Sequence, residues 1–171
     1  MIIRLSEIDD MLVVKGSMEA SRFMEVENNE FHITTPVQYA LTVKKFDDLF
    51  SVTGPVTFEA LFTCGRCLME FQQLIAMDMD IRLTPKTEIP QVSEFELKDE
   101  DMDVYYYESD EIDLDSFIYE EVLLDVPFRP VCSEDCQGLC GICGKNKNIE
   151  TCNCSETSRT LLGEKLKSFL N

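Results

Sequence analysis

The sequence predicts an α+β protein. Its main part is an antiparallel β-sheet meander, accompanied by one helix and a C-terminal cysteine-rich zinc-binding module. Three observations support this fold class. Apolar and polar residues alternate from about residue 37 onward, an apolar helical face lies within residues 113–125, and six of the eight cysteines lie within residues 131–154.

The size and composition suit one domain with a small appendage. The chain has 171 residues, and its 44% of apolar residues can form a core, which excludes wholesale disorder. We expect residues 1–128 to form an antiparallel β-rich domain with an acidic loop and a helix. Residues 129–171 are expected to form the zinc-binding module with a short C-terminal helix, packed on the first domain.

The sheet is predicted from three segments with a period of two residues. Residues 37–43, 56–62 and 75–83 each place an apolar side chain at every second position. Such alternation is typical of antiparallel strands with one face on a core and the other in water. Gly54 and Pro55 form a dipeptide that is typical of turns, so we expect a turn there. A short strand is also expected at residues 11–14.

The second half of the chain begins with a polar, acidic stretch at residues 86–103, which we interpret as a loop. Residues 104–108 are rich in tyrosine and predict a strand. Asp113 has the position of a helix N-cap, and Pro127 ends the helix that follows. The apolar face of this helix consists of Leu114, Phe117, Ile118 and Val122. A short helix is predicted at residues 159–170.

The negative charge is concentrated in the middle of the chain. The whole protein carries a net charge of −18, and residues 88–128 contain 15 acidic residues and one basic residue, Lys98. This balance argues against a general nucleic-acid binder. The acidic segment is either a solvated face or a docking surface that attracts a basic protein in a salt-dependent way.

Several function classes are not supported. No apolar run approaches the roughly 18 residues of a membrane span, and the first ten residues do not resemble a secretory signal, so we expect a cytoplasmic protein without a membrane partner. The sequence contains no nucleophile–base motif and no phosphate-binding glycine loop. It therefore predicts a protein that is not an enzyme and takes no small-molecule substrate.

The cysteines are the residues with the clearest chemistry. They are Cys64, Cys67, Cys132, Cys136, Cys140, Cys143, Cys152 and Cys154. A disulfide framework is typical of small secreted domains, and a redox Cys-x-x-Cys pair is typical of a helix N-terminus, whereas the first pair here joins two strands. A tetrahedral zinc ion takes pairs of thiolates from tight turns, so the spacing favours zinc ligation by all eight cysteines.

The preferred assignment is two zinc sites. The first site would use Cys64, Cys67, Cys132 and Cys136, and the second would use Cys140, Cys143, Cys152 and Cys154. The alternative is a single site drawn from the last six cysteines, with the other cysteines as free thiols. The single histidine, His32, is far in sequence from every cysteine pair and is interpreted as a surface or edge-strand residue. Zinc sites made only of cysteine are typical of structural rather than catalytic zinc.

Three sequence features resemble a known bacterial family. They are the Cys-x-Arg-Cys-Leu motif from Cys64 to Leu68, the segment Ile112-Asp113-Leu114 with Glu120-Glu121, and the stretch from Pro130 to Gly144 with its Gly138-Leu139-Cys140 run. The sequence resembles the YceD family, the large ribosomal RNA subunit accumulation proteins. The resemblance implies a ribosome biogenesis factor that supports 23S rRNA accumulation and large-subunit assembly.

The resemblance also implies partners. Family genes typically neighbour the gene for large-subunit ribosomal protein number 32, so the expected partner is a basic ribosomal protein or a pre-50S particle. Two other functions stay open. One is an RNA-binding zinc ribbon that acts directly on the 23S rRNA precursor, and the other is a thiol redox protein. No catalytic residue is carried over from the family.

Overall fold

The computed structural model describes residues 1–24, 31–86 and 104–154. Two predicted elements lie outside these residues: the acidic loop, apart from its first residue Lys86, and the helix at residues 159–170. Within the described residues, no helix is long and apolar enough to cross a membrane.

The chain divides into two compact units. The first comprises Met1–Phe62 and Gln72–Phe128, and the second comprises Thr63–Phe71 and the residues from Arg129 onward. The tip of one hairpin, which the sequence predicts as part of the β-rich domain, is thus grouped with the cysteine-rich segment. The division into a β-rich domain of residues 1–128 and a zinc-binding module of residues 129–171 stays a prediction.

The described residues contain eight strands and one α-helix. The strands are β1 (Ile2–Arg4), β2 (Met11–Met18), β3 (Phe31–Ile33), β4 (Val37–Phe46), β5 (Leu49–Thr63), β6 (Glu70–Pro85), β7 (Val104–Tyr107) and β8 (Glu111–Asp113). The helix is α1 (Leu114–Asp125), and two short 3₁₀ helices lie at Leu5–Glu7 and Ala20–Phe23.

The larger sheet is mixed rather than a pure antiparallel meander. Its strand order is β2-β4-β5-β6-β7, and β3 also pairs with β5. The pairs β2–β4 and β4–β5 are antiparallel, with Val14 opposite Leu41 and Val43 opposite Val52. In contrast, β7 runs parallel to β6. A parallel pair needs a crossover of about a dozen residues or more, and the 18 residues from 86 to 103 are long enough for one.

The turn predicted at Gly54 and Pro55 is wrong, because β5 continues through both residues. The chain reverses instead at Asp47 and Asp48, where Asp47 has a φ of 55°. Gly54 has a φ of 148°, and a Cβ added there would lie 2.3 Å from the carbonyl oxygen of Ala40. The glycine is therefore required by the close approach of β4. Pro55 is tolerated because the β4–β5 register has no paired residues at Gly54 and Pro55.

The predicted alternation of buried and exposed residues is confirmed in the three central strands. The inward side chains are Val37, Tyr39, Leu41 and Val43 of β4, Val56, Phe58, Ala60 and Phe62 of β5, and Ile75, Met79, Ile81 and Leu83 of β6. Burial of these apolar faces is the main stabilising term of the first unit.

Helix α1 has the predicted bounds and apolar face. The Asp113 carboxylate accepts hydrogen bonds from the Asp115 N–H at 3.2 Å and the Ser116 hydroxyl at 2.9 Å, which caps the helix N-terminus. Three residues of the helix, Leu114, Ile118 and Val122, are fully buried.

Replacing Asp113 by Ala is expected to lower the free energy of unfolding of the first unit by about 1 kcal/mol, because the cap and the exposed contact with the N-terminal ammonium at 2.9 Å are both lost. Urea denaturation followed by circular dichroism measures this change. Asp125→Ala is the matched control at the other end of the helix, where a carboxylate opposes the helix dipole, so its removal should not destabilise. Equal losses in both variants would contradict the capping role.

Candidate metal centre

The eight cysteines lie in two groups of four. The first cluster contains Cys64, Cys67, Cys132 and Cys136, and the second cluster contains Cys140, Cys143, Cys152 and Cys154. Within each cluster, all sulfur atoms lie within 4.8 Å of one another, and no cysteine forms a disulfide. These are the same two sets that the spacing favours, and metal binding by them stays a prediction. His32 is exposed on β3 and belongs to neither cluster.

The sulfur positions in the first cluster fit a tetrahedral ion. The Sγ atoms of Cys64 and Cys136 are 3.8 Å apart, and the Sγ atoms of Cys67 and Cys132 are 3.7 Å apart. Four thiolates at about 2.3 Å from a zinc ion, in a tetrahedron, are about 3.8 Å from one another. A disulfide would need about 2.05 Å. Both clusters therefore offer the ligand set of a closed metal site, with four thiolates and no histidine.

The clusters are each built on a turn of the same design. In both turns, the N–H of the first cysteine donates to the carbonyl oxygen of the residue five positions later in the chain. The residue four positions later donates its N–H to the carbonyl oxygen of that first cysteine. The bonds are Cys64 to Met69 at 2.9 Å, Leu68 to Cys64 at 2.9 Å, Cys140 to Lys145 at 2.7 Å and Gly144 to Cys140 at 2.9 Å. This repeat turns both sulfur atoms of each Cys-x-x-Cys pair to one side.

The two turns differ at the residue after their second cysteine. This residue has a positive φ in both, 72° at Gly144 and 59° at Leu68. Glycine adopts this conformation freely, whereas a leucine there is strained by about 1 kcal/mol. Leu68 gains little from burial, because 65% of its surface is exposed.

A reciprocal pair of substitutions tests this strain. Leu68→Gly is expected to stabilise the second unit of the metal-loaded protein by about 1 kcal/mol, and Gly144→Leu is expected to destabilise it by a similar amount. Because no described residue beyond its two chain neighbours lies within 4 Å of a Cβ at Gly144, the loss there reports backbone strain rather than a clash. Thermal unfolding of the two variants measures both changes, and shifts of the same sign would rule out the assignment of strain to Leu68.

The first cysteine of each turn ionises easily. Burial opposes ionisation of Cys64, but backbone N–H groups, beginning with that of Cys132, lower its pKa to about 6. Two of these N–H groups, from Arg66 and Cys132, lie 3.4 Å from the Cys64 sulfur. Backbone N–H groups of Cys143 and Ile142 likewise lower the pKa of Cys140 to about 6.

In each cluster, one cysteine has a strongly raised pKa and keeps its proton. Interaction with Cys136, together with burial, raises the pKa of Cys132 to about 12, and interaction with Cys143 raises the pKa of Cys154 to about 12. Thiolates this close repel one another, so a cluster without a cation retains protons. A divalent cation would remove this repulsion. The chemistry of the donor set therefore fits a metal ion at both clusters.

Arg66 has a structural role that its charge did not indicate. Its guanidinium donates to the carbonyl oxygens of Glu134 at 2.9 Å and Cys136 at 3.2 Å. Its own carbonyl accepts the N–H of Leu139 at 3.0 Å. The neighbouring Gly65 N–H donates to the Pro130 carbonyl at 2.8 Å. The arginine of the Cys-x-Arg-Cys motif thus ties the hairpin tip to the segment that supplies the other two cysteines.

Curated proteins similar to this chain come from mycobacteria. The uncharacterized proteins Rv2926c of Mycobacterium tuberculosis and Mb2951c of Mycobacterium bovis are each 34% identical over 104 residues, which is 61% of this chain and 48% of theirs. The uncharacterized protein ML1660 of Mycobacterium leprae is 29% identical over 115 residues, 67% of this chain and 51% of its own. The chain thus spans about half the length of these relatives. No solved structure matches it.

A family model identifies the chain. The model is described as "Large ribosomal RNA subunit accumulation protein YceD", and it matches residues 52–169. This range includes both cysteine clusters, helix α1 and the acidic middle segment, and the description supports a role in ribosome biogenesis. Because the match covers more than half of the chain, the protein belongs to the YceD family of large ribosomal RNA subunit accumulation proteins.

Proposed function

We propose that the protein is a non-enzymatic, cytoplasmic ribosome biogenesis factor that supports 23S rRNA accumulation and large-subunit assembly. It acts by binding a basic ribosomal protein or an assembly intermediate through its acidic middle segment, residues 88–128. The observation that carries this proposal is the family match over residues 52–169, because its description names accumulation of large-subunit RNA and its range contains this segment.

The proposal assigns one zinc ion to each cysteine cluster, with a structural role. Zinc is favoured because four thiolates around a tetrahedral centre are a typical ligand set of structural zinc and leave no position for a reacting water molecule. The second unit depends on such ions because its described part has little apolar core. Its buried residues are Cys64, Cys67, Cys136 and Cys140, together with Pro130 and Gly138.

The described part of the acidic segment keeps a negative surface. Residues 104–128 contain eight acidic residues and no basic residue. Four of them form ion pairs: Glu108 with Lys86, Glu111 with Arg4, Asp113 with the N-terminal ammonium, and Asp115 with that ammonium and Arg22. Glu120 and Asp125 on helix α1 form no ion pair with any described residue. A basic partner protein would be attracted to this surface as it approaches, and salt would weaken that attraction.

The two other functions receive less support. Direct RNA binding needs basic side chains free for phosphate, but the Arg66 guanidinium contacts two backbone carbonyls and Lys145 pairs with Glu150 at 2.9 Å. Thiol redox chemistry needs an accessible sulfur of low pKa. Cys64 and Cys140, whose pKa values are lowered to about 6, are both buried.

Capture from cell extract tests the proposed partner. Tagged protein at low salt is expected to retain a basic large-subunit protein or precursor particles containing 23S rRNA, and this retention should fall steeply as salt rises. Charge reversal at Glu120 and Asp125 to Lys should reduce retention several-fold. The matched control is charge reversal at Asp78 and Asp80, two exposed residues of β6. Failure to recover any ribosomal protein or precursor at low salt would refute the proposed partner.

A further inference from the structure

The two cysteine clusters share a short connecting segment. Cys136, the last residue of the first cluster, and Cys140, the first residue of the second, are separated by only three residues. One of these three, Leu139, donates its N–H to the backbone carbonyl of Arg66, which lies in the turn of the first cluster. Another, Gly138, accepts the N–H of Lys147 from the loop of the second cluster at 2.9 Å.

A side chain from the second cluster's loop reaches a sulfur atom of the first cluster. Asn148 lies between Cys143 and Cys152, which both belong to the second cluster. Its amide nitrogen donates to the Sγ atom of Cys136 at 3.3 Å. Its amide oxygen accepts the N–H of Gln137 at 2.7 Å. The Asn148 amide thus contacts both a candidate metal ligand of the first cluster and the backbone beside it.

The position of Asn148 depends on the loop that carries it. The Oδ1 atom of Asn146 accepts the Asn148 N–H at 2.9 Å and the Asn148 amide nitrogen at 2.8 Å. The Asn146 carbonyl accepts the N–H of Glu150 at 2.9 Å. Because Cys143 and Cys152 lie at the two ends of this loop, a metal ion that holds both cysteines also holds the loop in its conformation.

We propose that Asn148 is a positioning residue that couples the two metal sites. Metal binding at the second cluster orders the loop and places the Asn148 amide against Cys136, which strengthens metal binding at the first cluster. A hydrogen bond to a thiolate favours its charged form, and such outer contacts typically change metal affinity by about 10- to 100-fold. The coupling is reciprocal, so metal at the first cluster also favours metal at the second. This inference rests on the proposed metal binding.

The 171-residue chain loaded with cadmium tests the inference. Cadmium-113 NMR should give one resonance for each cluster, and the resonance lost in Cys67→Ser belongs to the first. Asn148→Ala should shift that resonance and weaken cadmium binding at the first cluster by about tenfold. Asn148→Asp keeps an acceptor for the Gln137 N–H but loses the donor to sulfur, so it should weaken the site at least as much. Asn153→Ala, an exposed asparagine of the same segment, is the control and should change neither value.

A double-mutant cycle separates coupling from a local effect. Removing the second site with Cys152→Ser and Cys154→Ser should weaken cadmium binding at the first cluster by about the same factor as Asn148→Ala does. Adding Asn148→Ala to that background should then have little further effect. Two cadmium ions per wild-type chain, together with an unchanged first site in Asn148→Ala and in the variant that lacks the second site, would overturn the coupling alone. Absence of any bound cadmium in the wild-type protein would overturn the proposed metal role as well.

Discussion

Removing the metal ions with a strong chelator at neutral pH is expected to unfold the second unit while the first unit stays folded. A structural zinc site contributes about 10–16 kcal/mol, which is comparable to the total stability of a typical domain. The first unit has a large apolar core that contains no cysteine. In the described part of the second unit, Cys64, Cys67 and Cys136 form the buried cluster, and the partly buried hydrophobic residues that pack against it are Phe71 and Val131.

Hydrogen exchange with mass spectrometry resolves the two units. Peptides from Thr63–Phe71 and residues 129–154 are expected to lose protection in chelator, while peptides from β4 and α1 keep it. Addition of zinc should restore the protection. Cys67→Ser should reduce the metal content by one ion per chain and unprotect the peptides of the first cluster, Thr63–Phe71 and residues 129–136. Full protection of the second unit in metal-free protein would contradict a structural role for the clusters.

The second large effect is expected at Gly54 in the first unit. A Cβ at this position would lie 2.3 Å from the Ala40 carbonyl oxygen and 3.1 Å from the Leu41 Cα atom. Both atoms belong to the backbone of β4, so the contact is relieved only by separating two strands of the sheet. The φ of 148° adds strain for any residue with a side chain. Gly54→Ala is therefore expected to lower the free energy of unfolding by about 3 kcal/mol.

Urea denaturation of the zinc-loaded protein measures this loss. Thr53→Ala is the matched control, because Thr53 is the half-buried neighbour on the same strand and its replacement removes a side chain without adding a contact. The control substitution should lower the free energy of unfolding by at most about 1 kcal/mol. If both variants lose the same stability, the close approach of β4 does not explain the glycine.

Long periodic patterns were predictable from the sequence, whereas short strands and strand order were not. The period-two burial of β4 to β6 and the N-cap at Asp113 follow from local chemistry. Strands β1 and β8 have three residues each, too few for a periodic signal, and they pair across more than a hundred residues. The Gly54-Pro55 signal was misleading because glycine serves a close backbone approach as well as a turn.

The cysteine sets were predictable because tight turns supply ligands in pairs. The side chains that support them were not, because hydrogen bonds to carbonyls and sulfur atoms depend on tertiary structure. Arg66 lies in the Cys-x-Arg-Cys motif, but neither the motif nor its charge predicted that its guanidinium would bind two backbone carbonyls. Asn148 carried no signal, since asparagine is common in loops.

Native mass spectrometry with elemental analysis, on protein purified without added zinc, measures the number and the kind of bound ions. Two closed sites of four thiolates predict two zinc ions per chain, both released in acid as protons compete for the sulfur atoms. A single zinc ion would contradict the two-site assignment. Protein that is free of metal, and whose second unit is nevertheless folded, would contradict metal binding by the cysteine clusters altogether.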